Sequence, residues 1–198
     1  MSDVVAILLA AGESRRMGQL KALLLWRGIS LLEHQVASLK AGGVDRVIVV
    51  LGHQADRLSP LLENLEYVSC VFNPDYLSGK TTSIKAGVQG LHEDRPNTLL
   101  MLNVDQPRSA ESVRLLLEAH ELGSALLTIP TFKGKGGHPI IIDTSLIDEI
   151  LVINEETQGM KAVMQRHTDQ TRRVEVPAPE VLWDLNTPEQ YQAALEGL

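Results

Sequence analysis

Short apolar, β-branched runs alternate with amphipathic stretches along most of this chain. Val4 to Leu9 is apolar without interruption and predicts a buried strand, followed by a loop carrying glycine and arginine. Ser30 can cap a helix whose apolar positions Leu31, Leu32, Val36 and Leu39 recur at helical spacing, and Gly42-Gly43 ends it. Arg46 to Leu51 predicts the next strand, and Gln54 to Leu62 a short helix. Val68 to Phe72 and Leu99 to Val104 read as two more strands, with a helix from about Thr82 to Leu91 between them. Further on, Ser124 to Pro130 and His138 to Ile142 predict strands and Thr187 to Leu195 a closing helix, in a less regular pattern. Near-continuous hydrophobic strands separated by helices indicate an α/β fold with a parallel sheet covered on both faces. Ligands bind such sheets beyond the strand C-termini, so the loops after Leu9, Phe72 and Val104 are expected on one rim.

The length, 198 residues, suits a single domain spanning 1–198, and the pattern contains no repeat or linker that would divide it. A formal net charge of −7 argues against broad binding to nucleic acid or to an anionic membrane, so any anionic ligand must be held by a local cluster of cations. No apolar run reaches the length of a membrane span, and the start MSDVVAILLAAG has no basic leader; a cytoplasmic location is expected. Cys70, the one cysteine, falls in the apolar stretch Tyr67 to Phe72 and is expected to be a small core residue. His34, His92, His120 and His167 fall in helical patterns and read as surface or packing residues.

The cation cluster lies in the first loop. Ala10 to Lys21 contains Gly12, Ser14, Arg15, Arg16, Gly18 and Lys21. Glycines let backbone N–H groups turn toward an anion, the Arg16 guanidinium can grip phosphate oxygens with paired donors, and Lys21 supplies a point charge. An exposed basic loop that aids solubility would have the same composition. The dinucleotide fingerprint G-x-G-x-x-G is absent because Ser14 stands at the second glycine position. The Gly79-Lys80-Thr81 run resembles the end of a P-loop, but Pro74 occupies the position of its first glycine.

Three other segments carry candidate chemistry. Asp105 follows a strand, where a carboxylate can hold Mg²⁺ beside a triphosphate or simply start the turn before Pro107. Hydroxyls and backbone groups of the loop Asn73 to Ser83 could read a base edge, and Thr81 or Thr82 could equally cap the helix that follows. In Gly136-Gly137-His138-Pro139, the glycines permit close approach and His138 could donate to an acceptor phosphate, or serve as an ordinary turn residue. Thr187-Pro188-Glu189 forms a sufficient helix start by itself, after a strand beginning at Trp183.

The segment LAAGESRRMGQLK is similar to the signature L-x-A-G-x-S-x-R-M-G-x-x-K of the nucleoside triphosphate transferase family. Within that family the chain most resembles the molybdenum cofactor cytidylyltransferases, with further matches in order as far as Asn186. The resemblance implies a Rossmann-like, three-layer α/β/α fold with a mixed, mainly parallel sheet. It implies transfer of a nucleoside monophosphate from a nucleoside triphosphate, with pyrophosphate released. Carried over residue by residue, Leu9, Ala10, Ala11, Gly12, Ser14, Arg16 and Lys21 form the phosphate cradle. Asn73, Gly79 and Ser83 of the N-P-D-x-x-x-G loop contribute base contacts, and Gly137, His138 and Pro139 line the acceptor side. Asp105, in the family's Asp-x-Pro motif, binds both nucleotide and metal. Asn186, in the counterpart of D-x-[DN]-T-P-E-D, completes the metal site, with Asp184 as the neighbouring candidate. Arg16, Lys21 and Asp105 are the expected catalytic residues.

Mg²⁺ is the expected cofactor, with Mn²⁺ as the alternative. Relatives that transfer a guanylyl group read L-A-G-G at the loop start, and the cytidylyl relatives read L-A-A-G as here; the Ala11 methyl favours CTP. The implied acceptor is molybdopterin-type, with a molybdoenzyme or a cofactor-insertion protein as receiving partner. A guanylyl or sugar-phosphate transferase of the same superfamily is the alternative within the chemistry. A non-catalytic carrier of molybdenum cofactor is the alternative outside it.

Overall fold

The computed structural model describes residues 3–91 and 95–197; the reading of His92 lies outside the described residues. Among the described residues ten strands occur in chain order: β1 Val4–Ala10, β2 Leu25–Trp26, β3 Ile29–Ser30, β4 Arg46–Leu51, β5 Val68–Phe72, β6 Thr98–Asn103, β7 Leu127–Phe132, β8 Lys135–Gly136, β9 Ile140–Asp143 and β10 Thr171–Glu175. The α-helices are α1 Leu31–Ala41, α2 Ala55–Leu58, α3 Lys80–Gln89, α4 Ala110–Glu121, α5 Ile147–Leu151, α6 Met160–Arg166 and α7 Pro188–Glu196.

Eight strands form one sheet in the order β10-β7-β9-β6-β1-β4-β5, with β8 paired to β7 outside that path. β1 is central, and all seven of its residues are buried. Its alternation decides the layers: Val4, Ala6, Leu8 and Ala10 join one core, while Val5, Ile7 and Leu9 join another. On the first face α1 adds Leu32, Val36 and Leu39, and α4 adds Val113, Leu116 and Leu117. On the second face α3, α5 and α6 supply Ile84, Val88, Ile147, Ile150 and Val163. The result is a three-layer α/β/α arrangement. Gly87 lets α3 lie close against the sheet, because a Cβ there would stand 2.5 Å from Ile7 Cγ2.

Strands β1, β4, β5 and β6 are parallel, whereas β9 runs antiparallel to both β6 and β7, so the sheet is mixed. The chain leaves β1 for β4 and β5 on one side and returns to β6 on the other. Successive connections therefore diverge between β1 and β6, which opens a crevice beyond their C-terminal ends.

Local signals account for several boundaries. Ser30 and Glu33 form a reciprocal capping box on α1, and Thr187 with Gln190 does the same for α7. Neither Thr81 nor Thr82 caps α3: Gly79 is its N-cap residue, and Thr82 Oγ1 donates back to the Gly79 carbonyl at 2.8 Å. Cys70 is exposed, contrary to the expected core position, because β5 is the edge strand and its outer half is not covered. No strand forms at Trp183; a short 3₁₀ turn, Pro179–Leu182, leads into an extended segment that is anchored by other means. His120 is a packing residue, hydrogen-bonded through Nδ1 to Thr128 Oγ1 at 2.9 Å, and His167 caps α6 beside Glu149.

Candidate functional site

A cleft of about 500 Å³ opens beyond the ends of β1 and β6. Its walls bring together the loops after β1, β5 and β6 with His138, Asp184 and Asn186. Lys21 lines it. The Lys21 ammonium donates to Asp105 Oδ2 at 2.6 Å and to Asn186 Oδ1 at 2.8 Å, and Arg16 donates to the same Asn186 oxygen at 3.0 Å. Three segments separated by some 80 residues each thus meet where two oxygens share the Lys21 ammonium, with Arg16 on one of them. The side chains of Lys21 and Asp105 are only 12% and 17% exposed, so this pair is screened far less than a surface ion pair.

The loop geometry around Lys21 is local. Ser14 takes the left-handed conformation at φ 57°, and its hydroxyl accepts from Lys21 N at 3.0 Å, closing the loop on itself. Arg15 turns outward to pair with Glu13. Among the described residues a Cβ on Gly12 would meet no atom within 4 Å, so this stretch of wall stays open to the cleft. A small third core, Met17, Leu24, Trp26, Leu31, Leu185 and Ala194, fastens the same loop to the C-terminal segment. Trp26 meets Trp183 edge-on at 5.9 Å, and the Tyr191 hydroxyl donates to the Leu25 carbonyl.

The C-terminal segment is strapped across the start of α4. Glu180 Oε1 accepts from Ser109 N, Ser109 Oγ and Ser112 Oγ, at the positive end of that helix. Leu185 N donates to the Asp105 carbonyl at 2.8 Å. Between these ties runs Arg108, a cation that is 1% exposed and bonds to carbonyls rather than to a carboxylate among the described residues. Its guanidinium donates to the carbonyls of Pro107, His138, Val181 and Trp183 at 2.7 to 3.2 Å. Burial lowers its pKa to about 10, which still leaves it charged at neutral pH.

Gln106 decides the state of His138. Its Oε1 accepts from both Asn103 N and Asn103 Nδ2, and because a backbone N–H can only donate, the amide orientation is fixed. Its Nε2 therefore donates to Asp184 Oδ1 at 2.6 Å and to His138 Nδ1 at 3.1 Å. His138 is then neutral with its proton on Nε2. Burial, followed by the Arg108 and Lys80 charges, pushes its pKa down to about 4. The unfolded chain takes up this proton near 6.5 and the folded chain near 4, so the unfolded state binds more protons in that window. Stability contributed by His138 is fully present above pH 6.5 and is expected to fall on the order of 3 kcal/mol as pH drops to 4. Denaturation titrations of wild type and His138→Gln check this: the variant should lose that part of the acid dependence, and identical slopes would contradict it.

Lys80 projects between the cleft and a neighbouring cavity. Desolvation lowers its pKa although the residue as a whole is exposed, and Asp105, Asp184 and Glu155 partly offset the shift.

Of the residues singled out from sequence, Leu9, Ala10, Ala11, Gly12, Ser14, Lys21, Gly79, Ser83, Asp105, His138 and Asn186 line the cleft. Arg16 reaches it only through Asn186. Asn73 is buried behind the wall, where its amide donates to Ser83 Oγ and Thr82 Oγ1, both at 2.9 Å. Gly137 and Pro139 line neither cavity; a Cβ on Gly137 would stand 2.0 Å from the Val181 carbonyl, so this glycine serves packing. Asp184 and Asn186 have separate partners, Gln106 for the first and Lys21 with Arg16 for the second. Sequence reasoning did not single out Gln106 or Arg108. Their neighbours come from positions about 30 to 80 residues away, and no local pattern announces them.

The MobA-like NTP transferase domain matches residues 6–171. The chain belongs to that family. Among curated MobA-like relatives, it is 27% identical over 197 residues to the molybdenum cofactor cytidylyltransferase of Escherichia coli K12, covering 99% of this chain and 97% of that one. It is 36% identical over 151 residues to nicotine blue oxidoreductase of Paenarthrobacter nicotinovorans, covering 72% of each chain. In fold, it is similar to Rv0371c of Mycobacterium tuberculosis in complex with manganese, with a TM-score of 0.78, 20% identity and full coverage of both chains. The MobA-like domain ends at the start of β10, so Asn186 and the strapped segment lie beyond the matched span. Among the described residues no helix is long and apolar enough to cross a membrane.

Proposed function

We propose that residues 1–198 act as one cytoplasmic nucleotidyltransferase domain that transfers CMP from CTP to the terminal phosphate of a molybdopterin-type acceptor and releases pyrophosphate. The observation that carries this reading is the Lys21 ammonium shared between the Asp105 carboxylate and the Asn186 amide oxygen in the cleft wall. Two hard oxygen donors converging on one positive charge suit a magnesium ion, which is held by one or two protein oxygens while phosphates and water fill its other positions. Asp105 and Asn186 would hold Mg²⁺, with Mn²⁺ as the alternative. When bound, the ion supplies charge neutralisation at the triphosphate.

The remaining work falls to the chain. Lys21 and Arg16 place positive charge at the phosphates, and backbone N–H groups of the Gly12–Ser14 turn add donors without a side chain in the way. An oxygen of the acceptor phosphate attacks the α-phosphorus; that P–O bond forms as the bond from the α-phosphorus to the bridging oxygen of pyrophosphate breaks, and pyrophosphate leaves with the electron pair. A phosphate monoester has its second pKa near ~6 and is already ionised at pH 7, so no general base is required. Neutral His138 fits that scheme as a hydrogen-bond donor rather than as a base. Ala11 lines the cleft beside Gly52, and its methyl leaves less room than a glycine would, which supports CTP over a purine nucleotide. The product would pass to a molybdoenzyme or a cofactor-insertion protein.

The test is pyrophosphate release with each nucleoside triphosphate, Mg²⁺ and a panel of acceptors that includes molybdenum cofactor. CTP-selective turnover with the pterin is expected. GTP-selective turnover, or turnover only with a sugar phosphate, would move the chain to another branch of the same chemistry. Tight cofactor binding without any turnover would make it a carrier, and turnover of nicotine blue would place it with its oxidoreductase relative. In the same assay Lys21→Ala should lower kcat/KM by roughly 10²- to 10³-fold, since it removes a positive charge aimed at the phosphates. Unchanged kinetics would remove Lys21 from the cradle.

A further inference from the structure

A second cavity, of about 280 Å³, adjoins the cleft where α3, β6, β9 and α6 meet. Its deepest lining is apolar: Ile84, Met101 and Ile140 are each no more than 5% exposed. Met160 and Met164 stand four residues apart on α6 and are half-buried against the same space. Lys80, Asn103 and His138 line both cavities and so form their common wall, whereas Lys21, Asp105 and Asn186 line the first alone. The smaller cavity is lined by thioethers and aliphatic groups together with Glu155, Gln158 and Lys161, whereas Lys21, Asp105 and Asn186 belong to the larger cleft.

His138 adds a polar handle at the shared wall. Its Nδ1 is engaged by Gln106, and its Nε2–H has no hydrogen-bond partner among the described residues. A fixed neutral donor beside polarisable sulfur suits a flat heteroaromatic ring that offers an acceptor oxygen or an unprotonated ring nitrogen. The cavity lies near the lower end of small-ligand sites, matching a ring system rather than a whole nucleotide.

We propose that this second cavity is the ring subsite of the acceptor: its planar pterin-type heterocycle lies against Met160 and Met164 and accepts a hydrogen bond from His138 Nε2. The acceptor's phosphate then reaches across the wall of Lys80, Asn103 and His138 to the nucleotide. Gln106 is a positioning residue for this contact, because it fixes the donor on Nε2. The assignment rests on the transferase reading for the word acceptor, but ring binding is measured without turnover.

The experiment titrates the full chain separately with free pterin, by fluorescence, and with CTP and Mg²⁺, by calorimetry. Wild type is compared with Met164→Trp, which fills the cavity from its half-buried side, and with Met160→Lys, which places a charge in it. Each variant is used after its circular dichroism and melting curve match wild type. Pterin affinity is expected to fall at least about tenfold in both variants, with CTP affinity changed less than twofold. Gln106→Leu should also weaken pterin, and should move the His138 ring ¹⁵N signals away from the Nε2-protonated pattern. Wild type that does not bind pterin, or folded variants that bind it unchanged, would overturn the subsite. So would a loss of CTP affinity matching that of pterin, which would make the cavity the base site. Failure of cytidylyl transfer to molybdenum cofactor, with the pterin result intact, would count against the transferase reading alone.

Discussion

Asp105→Ala is expected to lower nucleotidyl transfer by about 10³-fold or more while leaving the protein folded. The carboxylate is the anionic member of the pair of oxygens facing Lys21, and Asn186 offers only a neutral oxygen. Removing the anion takes away the principal protein ligand of the proposed divalent cation and leaves the Lys21 ammonium to neutral Asn186. The loss should appear in kcat, because charge builds up at phosphorus during the reaction rather than on binding. Stability should change by no more than about 1–2 kcal/mol, since the ion pair lies at the cleft wall and water can replace the lost oxygen. The main-chain tie from Leu185 N to the Asp105 carbonyl does not involve the side chain. Steady-state kinetics across a magnesium series, with a melting curve for each protein, check the expectation. Full activity at saturating magnesium would remove Asp105 from the mechanism.

Arg108→Met should be the most destabilising single change near the site, by roughly 3–5 kcal/mol. The guanidinium satisfies carbonyls on three separate stretches, at Pro107, at His138 and at Val181 with Trp183. Methionine fills much of the volume but donates nothing, so buried carbonyls lose their partners together. Arg108→Lys should recover only part of the loss, because one ammonium cannot reproduce a planar fork. The segment carrying Asp184 and Asn186 would loosen from the rim before the sheet is affected. Urea denaturation at pH 7 measures the first effect. Hydrogen exchange at Val181 to Leu185 measures the second, and protection equal to wild type there would show that Glu180 and the third core suffice.

Much of the fold was legible because it depends on patterns within a few residues. VVAILLA can only be a strand covered on both faces, and Ser30 followed by Glu33 announces the start of α1. The Lys21 loop, too, was visible as the one concentration of cations in an acidic chain, next to a strand end. Asp105 stood out by its place after β6.

Position in the sheet was a different matter. β5 and β4 look alike as apolar runs, yet β5 is an edge strand and exposes Cys70, because strand order is set by crossovers and not by composition. Sequence left open whether Asp184 or Asn186 faces the charged centre. The choice depends on Gln106 holding the first while Lys21 and Arg16 hold the second. Arg108 has no sequence signature, since a buried arginine satisfied by carbonyls is defined wholly by partners distant in the chain. By itself the sequence determined the layers, the cation-bearing loop and the rim on which it lies, through local periodicity and charge. Only the tertiary structure decided which side chains share a hydrogen, and so fixed the state of His138 and the division of the site into two cavities.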